Sequence, residues 1–131
     1  MKEWIKIKYL ALMKQSDDTQ KIQFECQAFH EWEMTNESWK WDHASYGHME
    51  ILLSGSQLTL VNPQNTLVFR LNESTHLEYQ TPYGMFLWQG KLLKLKLDRD
   101  RLLAVYEIWD QSGCIVHCDL VLTKISESLI S

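Results

Sequence analysis

The sequence contains no apolar run that approaches the ~20 residues a helix needs to span a membrane. Its N-terminus also lacks the continuous apolar core of roughly 7–15 residues that a signal peptide requires. Lys6 and Lys8 interrupt the apolar residues there, alternating with Ile5, Ile7 and Tyr9. These two absences predict a cytoplasmic protein.

Basic residues are fewer than acidic residues. The chain has 13 Lys and Arg against 17 Asp and Glu, which gives a formal net charge of −4. This balance supplies no electrostatic reason to bind nucleic acid or an anionic membrane. We therefore expect neither nucleic acid nor a membrane as a partner.

Cysteine is scarce, and the three that occur fit reduced thiols in a reducing compartment. Cys114 and Cys118 lie on one face of a predicted strand, four residues apart. That spacing separates their α-carbons by roughly 13 Å. A disulfide cannot bridge such a distance without breaking the strand.

Motifs that carry enzyme chemistry are missing as well. The sequence has no glycine-rich phosphate loop, no nucleophile elbow and no His-Glu metalloprotease motif. No stretch predicts a helix longer than a turn or two. We expect a protein that is not an enzyme and that carries no cofactor.

What the sequence does contain is period-two alternation over short segments separated by turn residues, within one domain of residues 1–131. The first strand is predicted over residues 3–14. Alternating strands joined mainly by hairpins predict an all-β, antiparallel up-and-down barrel. The inward positions of three predicted strands are Ile5, Ile7, Tyr9, Ala11 and Met13, then Ile22, Phe24, Cys26 and Ala28, then Leu67, Phe69 and Leu71.

The chain is organised around Ser74–Asp98, which reads as strand, corner and longer strand. At the corner Thr81-Pro82-Tyr83-Gly84, proline fixes its own φ and Gly84 can take a positive φ at no steric cost. The alternation beyond the corner changes parity, which predicts a one-residue β-bulge near Gly90 and Lys91. Such a bulge places on one face Phe86, Trp88, Leu93, Leu95 and Leu97.

The last two strands form a predicted hairpin. A three-residue loop Gln111-Ser112-Gly113, with Gly113 left-handed, sets the register. The cross-strand pairs are then Tyr106 with Cys118, Ile108 with Val116, and Ala104 with Leu120.

With this corner and the amphipathic meander after it, the chain resembles the YwiB-like calycin-type β-barrels, a bacterial family of unknown function. The resemblance is sharpest from Tyr79 to Phe86, with Gly47-His48-Met49 and Leu58-Thr59-Leu60 as weaker anchors. It implies a closed barrel of about 8–10 strands, related in shape to lipocalins and fatty-acid-binding proteins. It carries over no catalytic residue.

A barrel of this size either fills its interior with side chains or holds a small ligand. Inward aromatic residues could line an apolar pocket for a small apolar molecule, and this is the leading hypothesis. The competing interpretation is that the same residues are simply core. The candidate ligand-binding residues are Phe24, Phe69, Phe86, Trp88 and Tyr106.

The outer face offers the alternative function. The predicted register puts Leu103 opposite Val121 and Trp109 opposite Ile115, all pointing away from the interior. An exposed apolar patch usually marks a partner surface, and a symmetric dimer is the commonest soluble oligomer. A filled barrel would then act through these four residues as a homodimer or as an adaptor for another protein.

Two further groups of residues are weaker candidates. Glu107 lies opposite His117 on the outer face, but no nucleophile accompanies this pair, so a cross-strand surface contact is favoured. One hairpin gathers acidic and histidine residues without a recognised chelate spacing, so we expect no metal site. Its members are Asp42, His43, His48 and Glu50.

Overall fold

A computed structural model of the protein describes residues 1–125. Within this range the chain forms ten β-strands and no helix, so no described helix is long and apolar enough to cross a membrane. The prediction of one domain over residues 1–131 extends to residues 126–131, which lie outside the described range. The strands are β1 (Lys2–Gln15), β2 (Asp18–Glu33), β3 (Asn36–His43), β4 (Gly47–Ser54), β5 (Gln57–Val61), β6 (Thr66–Arg70), β7 (Ser74–Thr81), β8 (Gly84–Leu97), β9 (Arg101–Asp110) and β10 (Gly113–Ile125).

The strands form a single sheet in the order β6-β5-β4-β3-β2-β1-β10-β9-β8-β7. Apart from β6 and β7, each strand pairs antiparallel with the next one along the chain, and β10 returns to pair with β1. The sheet therefore curls into a nearly closed barrel. The predicted all-β antiparallel barrel is confirmed, with ten strands.

Alternation along the long strands decides which side chains enter the barrel. In β1, Ile5, Ile7 and Ala11 are buried, while Trp4 before them and Lys8 between them are exposed. Each of the ten strands contributes buried hydrophobic side chains to one cluster inside the barrel. Because successive side chains of a strand point to opposite faces, a slip of one residue would expose this whole set.

The seam between β6 and β7 is sealed by side chains instead of a backbone ladder. The amide of Asn65, a buried residue, bonds both backbone groups of one β7 residue: Gln80 N–H donates to Asn65 Oδ1 at 2.7 Å, and Asn65 Nδ2 donates to Gln80 O at 3.3 Å. Farther along, Thr75 Oγ1 donates to the carbonyl of Val68 at 2.7 Å. The Asn65 amide thus takes the place of a missing strand partner.

The bulge in β8 exists, but its predicted position is wrong. The register shifts between Leu92 and Lys94, so Leu93 is the extra residue and its side chain points outward, 47% exposed. Gly90 and Leu92 are both buried and face the interior. At this inward position only glycine fits, because an added Cβ would collide with the ring of Phe69. The bulge lies beyond it, between Leu92 and Lys94.

The β9–β10 hairpin has the predicted pairs of Tyr106 with Cys118, Ile108 with Val116 and Ala104 with Leu120. Its turn is tighter than predicted, because Asp110 Oδ1 accepts hydrogen bonds from the backbone of Ser112 at 2.7 Å and Gly113 at 3.2 Å. Gly113, at φ 138°, therefore already pairs with Asp110.

The extra residue of β10 is absorbed in a second bulge between Cys114 and Val116. As a result Trp109 pairs with Cys114 and not with Ile115, and Cys114 is exposed instead of inward. Ile115 packs against the hydrophobic core. The predicted opposition of Trp109 and Ile115 is wrong, because the Asp110 turn shortens the loop by one residue.

The close packing at Gly90 yields a prediction. An added Cβ would lie 2.7 Å from Phe69 Cε1 and 2.9 Å from Leu77 Cδ1. We expect Gly90→Ala to lower the free energy of unfolding by about 1–3 kcal/mol, because the core has no room for it. Urea denaturation measures this loss.

The matched test is the double variant Gly90→Ala with Phe69→Leu, which removes ring atoms at the point of collision. The pair should show an interaction energy of about 1 kcal/mol in the stabilising direction. Strictly additive losses would contradict the packing described at this position.

Candidate functional site

The interior of the barrel is packed unevenly. The turns β1–β2, β3–β4, β5–β6, β7–β8 and β9–β10 lie at one end of the barrel, which we call the aromatic end, and the opposite end we call the packed end. At the packed end most inward side chains are almost fully buried, although Leu71 and Leu95 are half-buried and Leu97 is 43% exposed. The almost fully buried ones include Ile5, Ile7, Ala28, Trp39, Ile51, Leu53, Leu58, Leu102, Ala104, Leu120 and Leu122, none more than 6% exposed.

At the aromatic end Ala11, Trp41, Leu67 and Ile108 are buried, but other inward side chains that pack against the same cluster keep accessible surface. They alternate along their strands with outward residues, so this surface faces the barrel interior and its mouth. These half-buried side chains are Tyr9, Met13, Ile22, Phe24, Met49, Leu60, Tyr79, Trp88 and Val116.

Two groups of stacked rings face each other at the aromatic end. On β1 to β3, Phe24 stacks on Tyr9 with ring centroids 4.8 Å apart and planes 13° apart, and Trp41 tilts against both. The imidazole of His43 lies 4.3 Å from the Phe24 ring, and the Tyr46 ring lies 5.6 Å from it. Polar turn residues thus complete an aromatic wall.

The second group lies on β7 and β8, half-way round the ring of strands from β2 and β3. Trp88 is 4.8 Å from Tyr79 and 5.6 Å from Phe86, whose ring is stacked within 14° of the Trp88 plane. Phe86 stands at the rim and is 42% exposed. Between the two groups, Phe69 and Tyr106 meet at 4.8 Å deep in the barrel.

Phenol and thiol groups from four strands converge in this region. Burial raises the pKa of Tyr106 well above 10, and the neighbouring Cys118, Tyr9 and Tyr79 raise it further. Burial also raises the pKa of Tyr9, with Cys118 and Tyr46 beside it. The pKa of the Cys118 thiol rises to about 11, again chiefly by burial. Tyr9, Tyr106 and Cys118 are therefore neutral hydrogen-bonding groups at pH 7.

The five candidate ligand-binding residues are divided by the structure. Phe24 belongs to the first aromatic group, and Phe86 and Trp88 belong to the second. Phe69 is fully buried and Tyr106 is 9% exposed, so these two form the floor beneath the accessible region.

Sequence reasoning did not select four other residues of this region, Tyr9, Trp41, Tyr46 and Tyr79. The alternation already assigned Tyr9 to the inner face, and that signal could have found it. Tyr46 lies in a turn between β3 and β4, where no periodicity indicates its direction.

The four candidate interface residues do not share one patch. Leu10, Val121 and Leu103 pair across three strands and form an outward apolar row, as predicted for the last two. Ile115 is part of the core, as described above. Trp109 contacts polar groups and not the apolar row. Its Nε1 donates to Glu107 Oε1 at 3.0 Å, and Lys91 Nζ lies 4.0 Å from the centre of its ring.

Glu107 and His117 are in contact on the outer face, with Glu107 Oε2 2.8 Å from His117 Nδ1. Burial raises the pKa of Glu107, but hydrogen bonds from His117 and Trp109 outweigh it and lower the pKa overall. The nearby Cys114 has a thiol whose pKa is raised by burial and by the Glu107 charge. A thiol with a raised pKa is a poor nucleophile at neutral pH.

The hairpin considered for a metal has its ligand atoms engaged with one another. His48 Nδ1 lies 2.9 Å from Asp42 Oδ1, and its Nε2 lies 2.7 Å from Glu50 Oε2. His43 faces the other way and accepts backbone N–H bonds from Ser45 and Tyr46 at its Nδ1. Among residues 1–125 no group of three or more His, Cys, Asp or Glu side chains is placed to hold a metal ion.

Two clefts open on the surface of the barrel. One of about 440 Å³ crosses the packed end beside Trp32, Glu37 and Leu97. A second of about 490 Å³ lies where β2 and β3 separate on the outside, beside Trp4 and His48. The first cleft touches neither aromatic group, and the second touches only Trp41 of the first group.

The fold is that of a nearly closed, ten-stranded antiparallel barrel. The crystal structure of the YwiB protein from Bacillus subtilis is similar, with a TM-score of 0.69 over 95% of this chain and 94% of that chain, at 12% sequence identity. No family model and no curated protein matches the sequence. The resemblance to YwiB-like barrels predicted from the corner motif is confirmed at the level of the fold.

The converging phenol and thiol groups predict a specific pH dependence. Tyr9, Tyr106 and Cys118 have pKa values in the folded protein above their usual values of 10.0 and 9.0. Their contribution to stability is complete below pH 9 and is lost as the pH rises, because the unfolded chain then releases protons that the folded chain retains. The free energy of unfolding should fall by about 1.4 kcal/mol per pH unit for each such proton.

Urea denaturation between pH 8 and 11 measures this slope, and Tyr106→Phe should flatten it. Tyr83→Phe is the matched control, because Tyr83 is 93% exposed and should leave the slope unchanged. Equal slopes in wild type and Tyr106→Phe would contradict the burial described for this phenol.

Proposed function

We propose that the protein is a non-enzymatic binding module that accepts a small apolar molecule at the aromatic end of the barrel. The observation that carries the proposal is the difference between the two ends. Most inward side chains are closely packed at one end, whereas Tyr9, Phe24, Tyr79 and Trp88 keep accessible surface at the other. Mouths of β-barrels lined by aromatic side chains with a few polar groups are common ligand sites.

The chemistry of the walls narrows the class of ligand. The half-buried inward side chains named above carry no formal charge, so a charged ligand would lose its hydration without gaining an ion pair. The stacked rings suit a flat or aliphatic apolar body. The phenols of Tyr9, Tyr79 and Tyr106 suit one uncharged hydrogen-bonding group on that body.

A role in binding and not in catalysis rests on the state of the candidate reactive groups. Cys118 has a pKa near 11, and Glu107 with His117 lies on the opposite face of the sheet from it. Cys26, Cys114 and Cys118 are all free thiols, which supports placing this function in the reducing cytoplasm.

Replacing Trp88 with Ala tests the site. Trp88 joins Tyr79 and Phe86 into one surface, so its loss should weaken binding of the neutral dye N-phenylnaphthylamine by about tenfold or more. Fluorescence titration measures the affinity, and native mass spectrometry of protein purified without lipid or detergent searches for a retained natural ligand.

Trp4→Ala is the matched control, since Trp4 is 68% exposed on the outer face, where its ring lies 5.1 Å from that of Phe29. Trp88→Phe should keep most of the affinity, which separates loss of the site from loss of folding. Equal affinities of wild type and a folded Trp88→Ala protein would refute the proposal.

Self-association is the second candidate function, and the apolar row Leu10–Val121–Leu103 favours it. These side chains are partly buried, pair across β1, β10 and β9, and point away from the core. A symmetric dimer would bury this row against its own copy. An adaptor role toward another protein would use the same row.

Leu103→Asp tests this candidate. A carboxylate at the centre of an apolar contact should weaken a dimer by about 2 kcal/mol or more, since it would be buried without a partner. Sedimentation velocity measures the oligomeric state. Thr123→Asp is the control, because Thr123 lies on β10 and faces the same side of the sheet as Val121. A wild-type protein that stays monomeric at all concentrations would contradict self-association.

A further inference from the structure

The β7–β8 hairpin ends in an unusually exposed apolar segment. We call residues 83–87 the tip. Tyr83 is 93% exposed, Leu87 77%, Met85 59% and Phe86 42%. These are four of the ten large hydrophobic side chains found exposed in residues 1–125. Large apolar side chains gathered in this way mark a contact surface more often than scattered ones do.

The tip is also free of charge. Residues 79–90 contain no Asp, Glu, Lys or Arg, although 23% of the whole chain is charged. The neighbouring β9–β10 turn carries Asp110, and the β1–β2 turn at the same end of the barrel has Asp17 and Asp18 exposed. A surface that meets the tip must therefore be apolar without being strongly negative.

The exposure is built into the hairpin and is not the result of fraying. Thr81 Oγ1 donates to Gly84 O at 2.9 Å and accepts from Tyr83 N at 3.1 Å, which fixes the corner. The Asn65 amide holds both backbone groups of Gln80, one residue before the corner. Polar contacts thus hold apolar side chains out in solvent, at a cost that a partner would offset.

The tip is continuous with the aromatic end. Phe86 stacks on Trp88 at 5.6 Å, and Trp88 contacts Tyr79 at 4.8 Å. Both Trp88 and Tyr79 pack against the barrel core. A row of rings therefore leads from the exposed hairpin into the proposed ligand site.

We infer that the tip inserts into the headgroup–acyl boundary of an electrically neutral lipid surface, from which the barrel takes up its apolar ligand. Tyr and Trp favour this boundary, where one end of the ring is apolar and the other is wet. The inference rests on the proposed binding function. Our expectation of no membrane partner followed from net charge, and net charge does not oppose insertion into a neutral surface.

The test uses the full chain without ligand and vesicles of phosphatidylcholine, with binding measured by flotation. Wild type should bind, with the same affinity at low and high salt because no ion pairs form. Leu87→Lys and Met85→Lys should each weaken binding by about tenfold, the loss expected when one apolar side chain is no longer buried. Trp4→Lys is the matched control on the outer face and should bind as wild type does.

Other outcomes would overturn the inference. Absence of wild-type binding to neutral vesicles would do so, as would binding that needs anionic lipid and disappears in salt. A wild-type dimer in the absence of lipid that becomes monomeric in Leu87→Lys would assign the tip to a second copy of the chain. An unchanged affinity of folded Leu87→Lys and Met85→Lys proteins for the vesicles would show that the tip is not the lipid contact.

Trp88→Ala separates this inference from the proposed function on which it rests. If both hold, Trp88→Ala loses the neutral dye in the absence of vesicles but still floats with phosphatidylcholine. If wild type floats with the vesicles but does not bind the dye, the tip is a lipid contact and the proposed ligand site is refuted. Dye binding without flotation would retain the site and overturn the role of the tip.

Discussion

The pairing of β1 with β10 is the constraint on which the rest of the structure depends. It joins the first and last described strands through nine cross-strand pairs, from Lys6 with Ile125 to Lys14 with His117. An open sheet would leave unpaired backbone groups along both of its edges, but here both terminal strands are interior to the sheet. The edges are moved to β6 and β7, which are short and adjacent in the barrel. One amide, that of Asn65, then satisfies backbone groups that a ladder would otherwise bond.

Closure also explains why the two ends differ. In the middle of β8, Gly90 gives Phe69 a place to lie without a Cβ in its path. At the aromatic end the hairpin of β7 and β8 extends to an exposed turn, and its inward rings have neighbours only along the wall. The same alternation therefore gives a filled core in one half and an accessible aromatic surface in the other. Fold alone does not assign a ligand to that surface.

The two bulges show which features of a strand the local sequence pattern predicts and which it does not. Alternation in β8 changes parity, so a bulge was required, yet it lies between Leu92 and Lys94, beyond the inward Gly90 that packs against Phe69. Phe69 lies on β6, some twenty residues earlier, and no sequence window contains both. In β10, the Asp110 side chain tightened the turn and moved the extra residue to Ile115, which turned a proposed surface residue into a core residue.

The sequence by itself determined the class of fold, most of the inward faces of the strands, and the register of the last hairpin from the Ile108–Val116 pair to the Ala104–Leu120 pair. These follow from the two-residue period of a strand and from turn chemistry, which are local properties. Only the tertiary structure decided the location of the bulges, the side-chain seal between β6 and β7, and the grouping of Tyr9, Phe24 and Trp41 opposite Tyr79, Phe86 and Trp88. Each of these depends on distances across the barrel, which closure sets and which periodicity along one strand cannot encode.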